Sequence, residues 1–176
     1  MLFTFVLAIV IIQRLVELVI ANRNEKWMRR RGAYEVGATH YPLMVTMHTA
    51  FFISLLTEVI VFNRALSVFW IHLLIIFLLT QVIRIWCLTS LGKFWNTKII
   101  VLPGADVVIN GPYKFIRHPN YLIVTIELLV LPLLFSAYFT AIVFSLLNVW
   151  ILSVRIPTEE KALKQSTNYK EQFLVK

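Results

Sequence analysis

Cysteine is nearly absent from this chain. The one present, Cys87, lies inside an apolar run, which excludes a disulfide framework and a Cys-based metal site. Acidic residues are scarce too, nine against seventeen Lys and Arg, giving a formal charge of +8. The four histidines, His40, His48, His72 and His118, are too scattered for a metal cluster, and no metal site is expected. Serine and threonine are sparse beside any histidine, which argues against a triad hydrolase. An H-E-x-x-H pattern, a G-x-S-x-G elbow, a P-loop and a G-x-G-x-x-G fingerprint are all missing. Internal repeats, low-complexity tracts and linkers long enough to set off a soluble domain are missing as well.

Long apolar runs are what the chain does have: 59% of its residues are hydrophobic and the mean hydropathy is +0.78. That excess points to a bilayer, and the basic residues flank apolar runs, which fits an anionic membrane face better than nucleic acid. A helical crossing needs about 20 apolar residues. Five segments meet or approach this: 2–21, 42–62, 66–89, 121–137 and 139–155. Irregular backbone in lipid leaves peptide groups unpaired, so all five read as helices. The expected fold is an all-α integral membrane protein with five transmembrane helices, a single membrane domain over 1–176. Residues 1–90 hold the first three spans, and 91–176 hold a polar loop, the last hairpin and the tail. Phe62–Ala65 reads as a tight turn between the second and third spans, and residues 135–138 as the turn of a second hairpin. The first 21 residues carry Arg14 and Glu17 and lack a small-residue cleavage site, so they are expected to be a retained span.

Cations set the orientation. Arg23, Lys26, Arg29, Arg30 and Arg31, then Lys93, Lys98, Lys114 and Arg117, then Arg155, Lys161, Lys164, Lys170 and Lys176 all fall on one face of a five-span chain, with Arg64 alone opposite. The positive-inside rule places the N-terminus outside and the central loop and C-terminus in the cytoplasm of a multi-pass cell-membrane protein. After Pro157 the tail reads as a separate short amphipathic helix, with Leu163 and the aromatics on its apolar face. Charges within spans need partners. Arg14 and Glu17, three residues apart, can pair locally. Arg84 either snorkels or holds a carboxylate, Glu58 needs no special role, and Glu127 either faces a site or does not.

The stretch 106–121, D-V-V-I-N-G-P-Y-K-F-I-R-H-P-N-Y, is the first place to look for function. Gly111-Pro112 and His118-Pro119 restrict the residues before each proline, so the loop is not a plain helix. As a bland reading it is a rigid connector anchored at the headgroups. In a five-span topology, however, it shares a membrane face with Arg155, Glu159 and Glu160, a composition suited to a polar cofactor meeting a greasy substrate.

The pattern G-P-Y-x-x-x-R-H-P-x-Y from Gly111 to Tyr121, a helical hairpin, then R-x-x-x-E-E from Arg155 to Glu160, resembles the isoprenylcysteine carboxyl methyltransferase family. The upstream L-G-K-F-W-N-T-K-I-I-V-L-P-G is similar to that family's entry into its cofactor loop. The whole chain looks closest to its short Bacillus-type members, which O-methylate alkylpyrones. The resemblance implies S-adenosylmethionine bound without a Rossmann domain, by the central loop and the tail. Gly111, Pro112, Tyr113, His118, Pro119 and Tyr121 would line the cofactor, and Glu159 or Glu160 would bind a polar part of it. Arg117 and Arg155 would steady a substrate oxygen or the cofactor carboxylate, so Arg117, Arg155 and Glu160 are the catalytic candidates. The implied partners are a lipophilic small molecule and membrane lipid, with no nucleic acid and no obligatory protein partner. Carboxyl methylation of isoprenylcysteine-like substrates, a related NADPH-dependent membrane reductase and a non-enzymatic membrane component are the rival readings.

Overall fold

Apolar runs become helices wherever the backbone has to satisfy itself, and here they set nearly the whole architecture. The computed structural model describes residues 2–173; Lys176, one of the tail cations counted above, lies outside the described residues. Among the described residues six α-helices follow one another: α1 (Leu2–Arg29), α2 (Tyr41–Val61), α3 (Trp70–Leu91), α4 (Pro119–Leu134), α5 (Tyr138–Ser166) and α6 (Tyr169–Phe173). Among the described residues, α1, α2, α3 and α5 are long and apolar enough to cross a membrane. The fourth expected span, α4, is an apolar helix of 16 residues, about 24 Å at the usual rise. Pro119 opens it at a position where a missing N–H costs nothing. Its end is a reversal at Phe135–Ala137, with Ser136 at φ 53°.

The chain divides into two compact units. The first comprises 1–38, 91–108 and 158–176. Its α1 runs 28 residues, about 42 Å and so longer than the hydrocarbon core of about 30 Å. The expected local pair forms there, Arg14 Nη1 lying 2.7 Å from Glu17 Oε2. A two-stranded antiparallel ribbon joins β1 (Tyr34–Val36) to β2 (Ile99–Val101), with Glu35 opposite Ile100. The all-helical expectation omitted it, because pairing across some sixty residues leaves no periodic trace in three-residue strands. Ile99 and Val101 form a small core with Ala162, flanked by Val36 and Leu163. Asn24 donates to the carbonyls of Gly92 (3.1 Å) and Trp95 (2.7 Å), and Asn96 donates back to Ala21 (3.2 Å). Lys98 reaches Glu25 and Glu35 at 3.2 and 3.5 Å. Burial pulls its ammonium pKa down, and the hydrogen bonds and charges of these two carboxylates outweigh that, leaving it above the usual lysine value.

The second unit comprises 39–90 and 109–157. The turn expected at Phe62–Ala65 is a longer connection running to Phe69. Ser67 holds it: its N–H donates to the Leu134 carbonyl at 3.1 Å, and its hydroxyl accepts from the Phe69 N–H at 3.2 Å. Glu58, expected to have no special role, is buried and caps α5. Its carboxylate accepts from the Phe139 N–H at 3.2 Å, and from the Thr140 N–H and hydroxyl at 2.8 Å each. These amides have no partners within their own helix, and a carboxylate there also meets the positive end of the helix dipole. Glu58→Ala is expected to destabilise the protein by about 1–2 kcal/mol, with Glu58→Gln milder, measured by thermal unfolding in detergent.

Pro157 does not start a new helix. It lies inside α5, which continues to Ser166, so the expected separate tail helix is the end of α5 followed by the single turn of α6. Proline removes one intrahelical hydrogen bond, a loss that long helices of membrane proteins tolerate.

Candidate functional site

Two groups of the expected site residues are built by the local chain, one in each unit. In the second unit, residues 111–114 form a 3-10 turn in which Pro112 and Tyr113 are buried. Gly111 is required at its head. Its φ is +58°, and a Cβ there would lie 2.1 Å from the Ser90 hydroxyl oxygen and 2.9 Å from Trp86 Nε1. Gly111→Ala is therefore expected to lower stability by about 1–3 kcal/mol. Adding Ser90→Gly should recover only part of that, since the backbone strain stays; thermal midpoints of the three proteins decide this.

His118 precedes α4 with φ −128° and ψ 61°, outside the α region that the following proline disfavours. Its ring stacks on Tyr121, with centroids 5.5 Å apart and an interplanar angle of 22°. Arg155 is buried, 4% exposed, and its Nε–H donates to the Tyr121 hydroxyl at 2.9 Å. Its guanidinium carbon also lies 5.8 Å from the Tyr121 ring centroid. The two ends of the recognised pattern, R-H-P-x-Y and the arginine that opens R-x-x-x-E-E, thus meet in one unit. Arg117 sits in the same loop with its side chain exposed.

The first unit holds the acidic half. Glu160 accepts from Lys164 Nζ at 2.8 Å and from the Tyr169 hydroxyl at 3.2 Å. Tyr169 is buried, 2% exposed, and its ring packs on Phe173. Glu159 is half-buried beside Glu160 in the sequence. The tail and the start of the loop are fastened together: Asn168 donates to Asp106 at 2.6 Å and accepts from the Val107 N–H at 2.9 Å, and the Gly104 N–H donates to the Ser166 carbonyl at 2.8 Å. Lys164, Asn168 and Tyr169 were not among the expected site residues. Lys164 lies four residues beyond Glu160, a spacing that marks a helical ion pair; Asn168 and Tyr169 carried no signal beyond their polarity.

A third polar group lies deeper in the second unit. Arg84 Nε donates to Glu127 Oε1 at 2.9 Å, a second guanidinium nitrogen contacts Oε2, and Gln81 Nε2 donates to Oε1 at 2.7 Å. Arg84 thus holds a carboxylate, and Glu127 is committed to it.

Residues 70–165 match the isoprenylcysteine carboxyl methyltransferase (ICMT) family. The chain is 46% identical over 163 residues to the uncharacterized protein YpbQ of Bacillus subtilis (strain 168), covering 93% of this chain and 97% of that one. It is 30% identical over 151 residues to an uncharacterized protein of Haemophilus influenzae, covering 85% and 88%. No solved structure matches it. Helices of membrane-spanning length and this match together define a multi-pass membrane methyltransferase. The chain belongs to the ICMT family.

Proposed function

We propose that this protein transfers the methyl group of S-adenosylmethionine to an oxygen of a lipophilic acceptor, the enolic hydroxyl of a long-chain alkylpyrone. The observation that carries the reading is the buried Arg155 fixed on the Tyr121 hydroxyl within the family's own signature. A guanidinium kept out of water is a strong holder of an oxyanion, because its planar fork donates paired hydrogen bonds.

The residue types fit the methyl donor. Carboxylates accept without donating, so Glu159 or Glu160 suits the ribose hydroxyls, with Lys164 and Tyr169 steadying Glu160. The stacked His118 and Tyr121 offer aromatic faces to an adenine ring or a cationic sulfur. Gly111, Pro112 and Tyr113 bring backbone close, and Pro119 fixes where α4 begins. Bound S-adenosylmethionine supplies an electrophilic methyl carbon on a cationic sulfur. The protein's share is alignment and exclusion of water. An enolic hydroxyl is acidic enough to arrive ionised, so Arg155 and Arg117 need only hold the oxyanion in line, and no dedicated base is required.

The same reading has five passes, with α4 accommodated in a locally thinned bilayer, the N-terminus outside, and the loop and C-terminus cytoplasmic. Lipid and a lipophilic small molecule are its partners. The test uses purified full-length protein in nanodiscs. Titration should give heat with S-adenosylhomocysteine and none with NADPH, and labelled methyl should appear on a long-chain alkylpyrone. Heat with NADPH alone would replace the reading by a reductase, and methylation confined to a prenylcysteine carboxylate would replace the acceptor.

A further inference from the structure

The loop between α3 and α4 turns apolar side chains outward at one short tip. Phe115 is 76% exposed, Ile116 44% and Ile109 41%, and the neighbouring Lys114 and Arg117 are exposed with them. Most of the chain's other exposed apolar side chains belong to helices of spanning length, where lipid covers them. This tip is irregular backbone, which belongs outside the hydrocarbon core, so its apolar exposure needs another explanation.

Its depth follows from one close approach. α3 has 22 residues, about 33 Å, which matches the hydrocarbon thickness and puts its last turn at the bilayer boundary. Gly111 packs directly on that last turn, against Ser90 and Trp86. Phe115 follows four residues later, and Pro119 then opens α4. The tip is therefore tethered at Gly111 to the end of α3 and at Pro119 to the start of α4, with Ile109 just before the first tether. Aromatic and aliphatic side chains framed by cations are the composition that settles among phospholipid headgroups and upper acyl chains, and the cations complement anionic lipid.

We propose that Ile109, Phe115 and Ile116, framed by Lys114, insert into the leaflet as a lip across which a lipophilic acceptor leaves the bilayer. The passage of the acceptor rests on the methyltransferase reading; the insertion does not. Three apolar side chains are far fewer than a spanning helix buries, so the tip anchors without approaching the strength of such a helix.

The sole native cysteine, Cys87, is buried, so Phe115→Cys takes a thiol-reactive NBD fluorophore selectively. The labelled full-length protein goes into vesicles of phosphatidylcholine and phosphatidylglycerol, with or without bromine on the acyl chains near the headgroup. Insertion predicts blue-shifted emission and strong quenching by the brominated lipid. Emission as in water without quenching overturns the insertion whether or not the protein methylates anything. The acceptor's passage is tested by Phe115→Ser/Ile116→Ser, with KM for a long-chain acceptor expected to rise about tenfold at unchanged kcat and unchanged S-adenosylhomocysteine affinity. An unchanged KM beside clear quenching would leave a membrane anchor and remove the role in acceptor entry.

Discussion

Arg155→Ala should reduce methyl transfer by about a hundredfold or more in kcat/KM, the range seen when one preorganised donor to a developing or bound oxyanion is lost. Arg155 is 4% exposed, so bulk water does not replace its hydrogen bonds, and its removal also takes away the Nε–H that the Tyr121 hydroxyl now accepts. Arg155→Lys separates charge from geometry. It keeps the cation and loses the planar fork, so activity should recover only in part. Tyr121→Phe removes one acceptor of the guanidinium and keeps its charge, and should cost less than losing the arginine. Because the two side chains touch, the double variant Arg155→Lys/Tyr121→Phe should fall short of the sum of the singles. Methyl-transfer kinetics beside a thermal-unfolding control give the readout. An Arg155→Ala protein that stays folded and keeps near-normal kcat/KM would end the proposed role.

The second large effect concerns stability. Arg84 and Glu127 are 3% and 7% exposed at their side chains, within apolar helices, and Gln81 adds a third hydrogen bond to the carboxylate. Removing one member leaves an uncompensated charge where solvation is poorest, so Arg84→Ala or Glu127→Ala should each destabilise by about 3–5 kcal/mol. Replacing both by apolar residues of similar volume, Arg84→Met with Glu127→Leu, should restore most of that loss, since the desolvation cost disappears with the pair. Thermal unfolding in a mild detergent compares the proteins. If the double variant is as unstable as the worse single, side-chain packing rather than paired charge is what the site contributes.

The helices were legible because each apolar run had to satisfy its own backbone, and the Arg14–Glu17 pair was legible because three residues is a helical neighbour spacing. The partners of Glu58, Arg84 and Glu127 were not. Each lies on a different helix, and hydropathy says that a charge within a span needs a partner without saying which. Pro157 misled because proline is a frequent helix boundary and not a certain one: α5 runs through it to Ser166 at the loss of one intrahelical hydrogen bond. At the site, the motif pointed to Gly111, His118, Tyr121 and Arg155, while the bond from Arg155 to Tyr121 spans 34 positions and belongs to packing alone.

Asn24 and Asn96 tie the C-terminal end of α1 to the segment after α3 through three side-chain hydrogen bonds to carbonyls. That fastening sets the angle at which a long helix faces its surroundings as well as its height. One residue deleted upstream would shift Asn24 by only about 1.5 Å along the axis yet turn it by roughly 100° if the N-terminal end stayed put. Length changes in α1 should thus be accepted by whole turns, about seven or eleven residues at a time, wherever its N-terminal end is held in place.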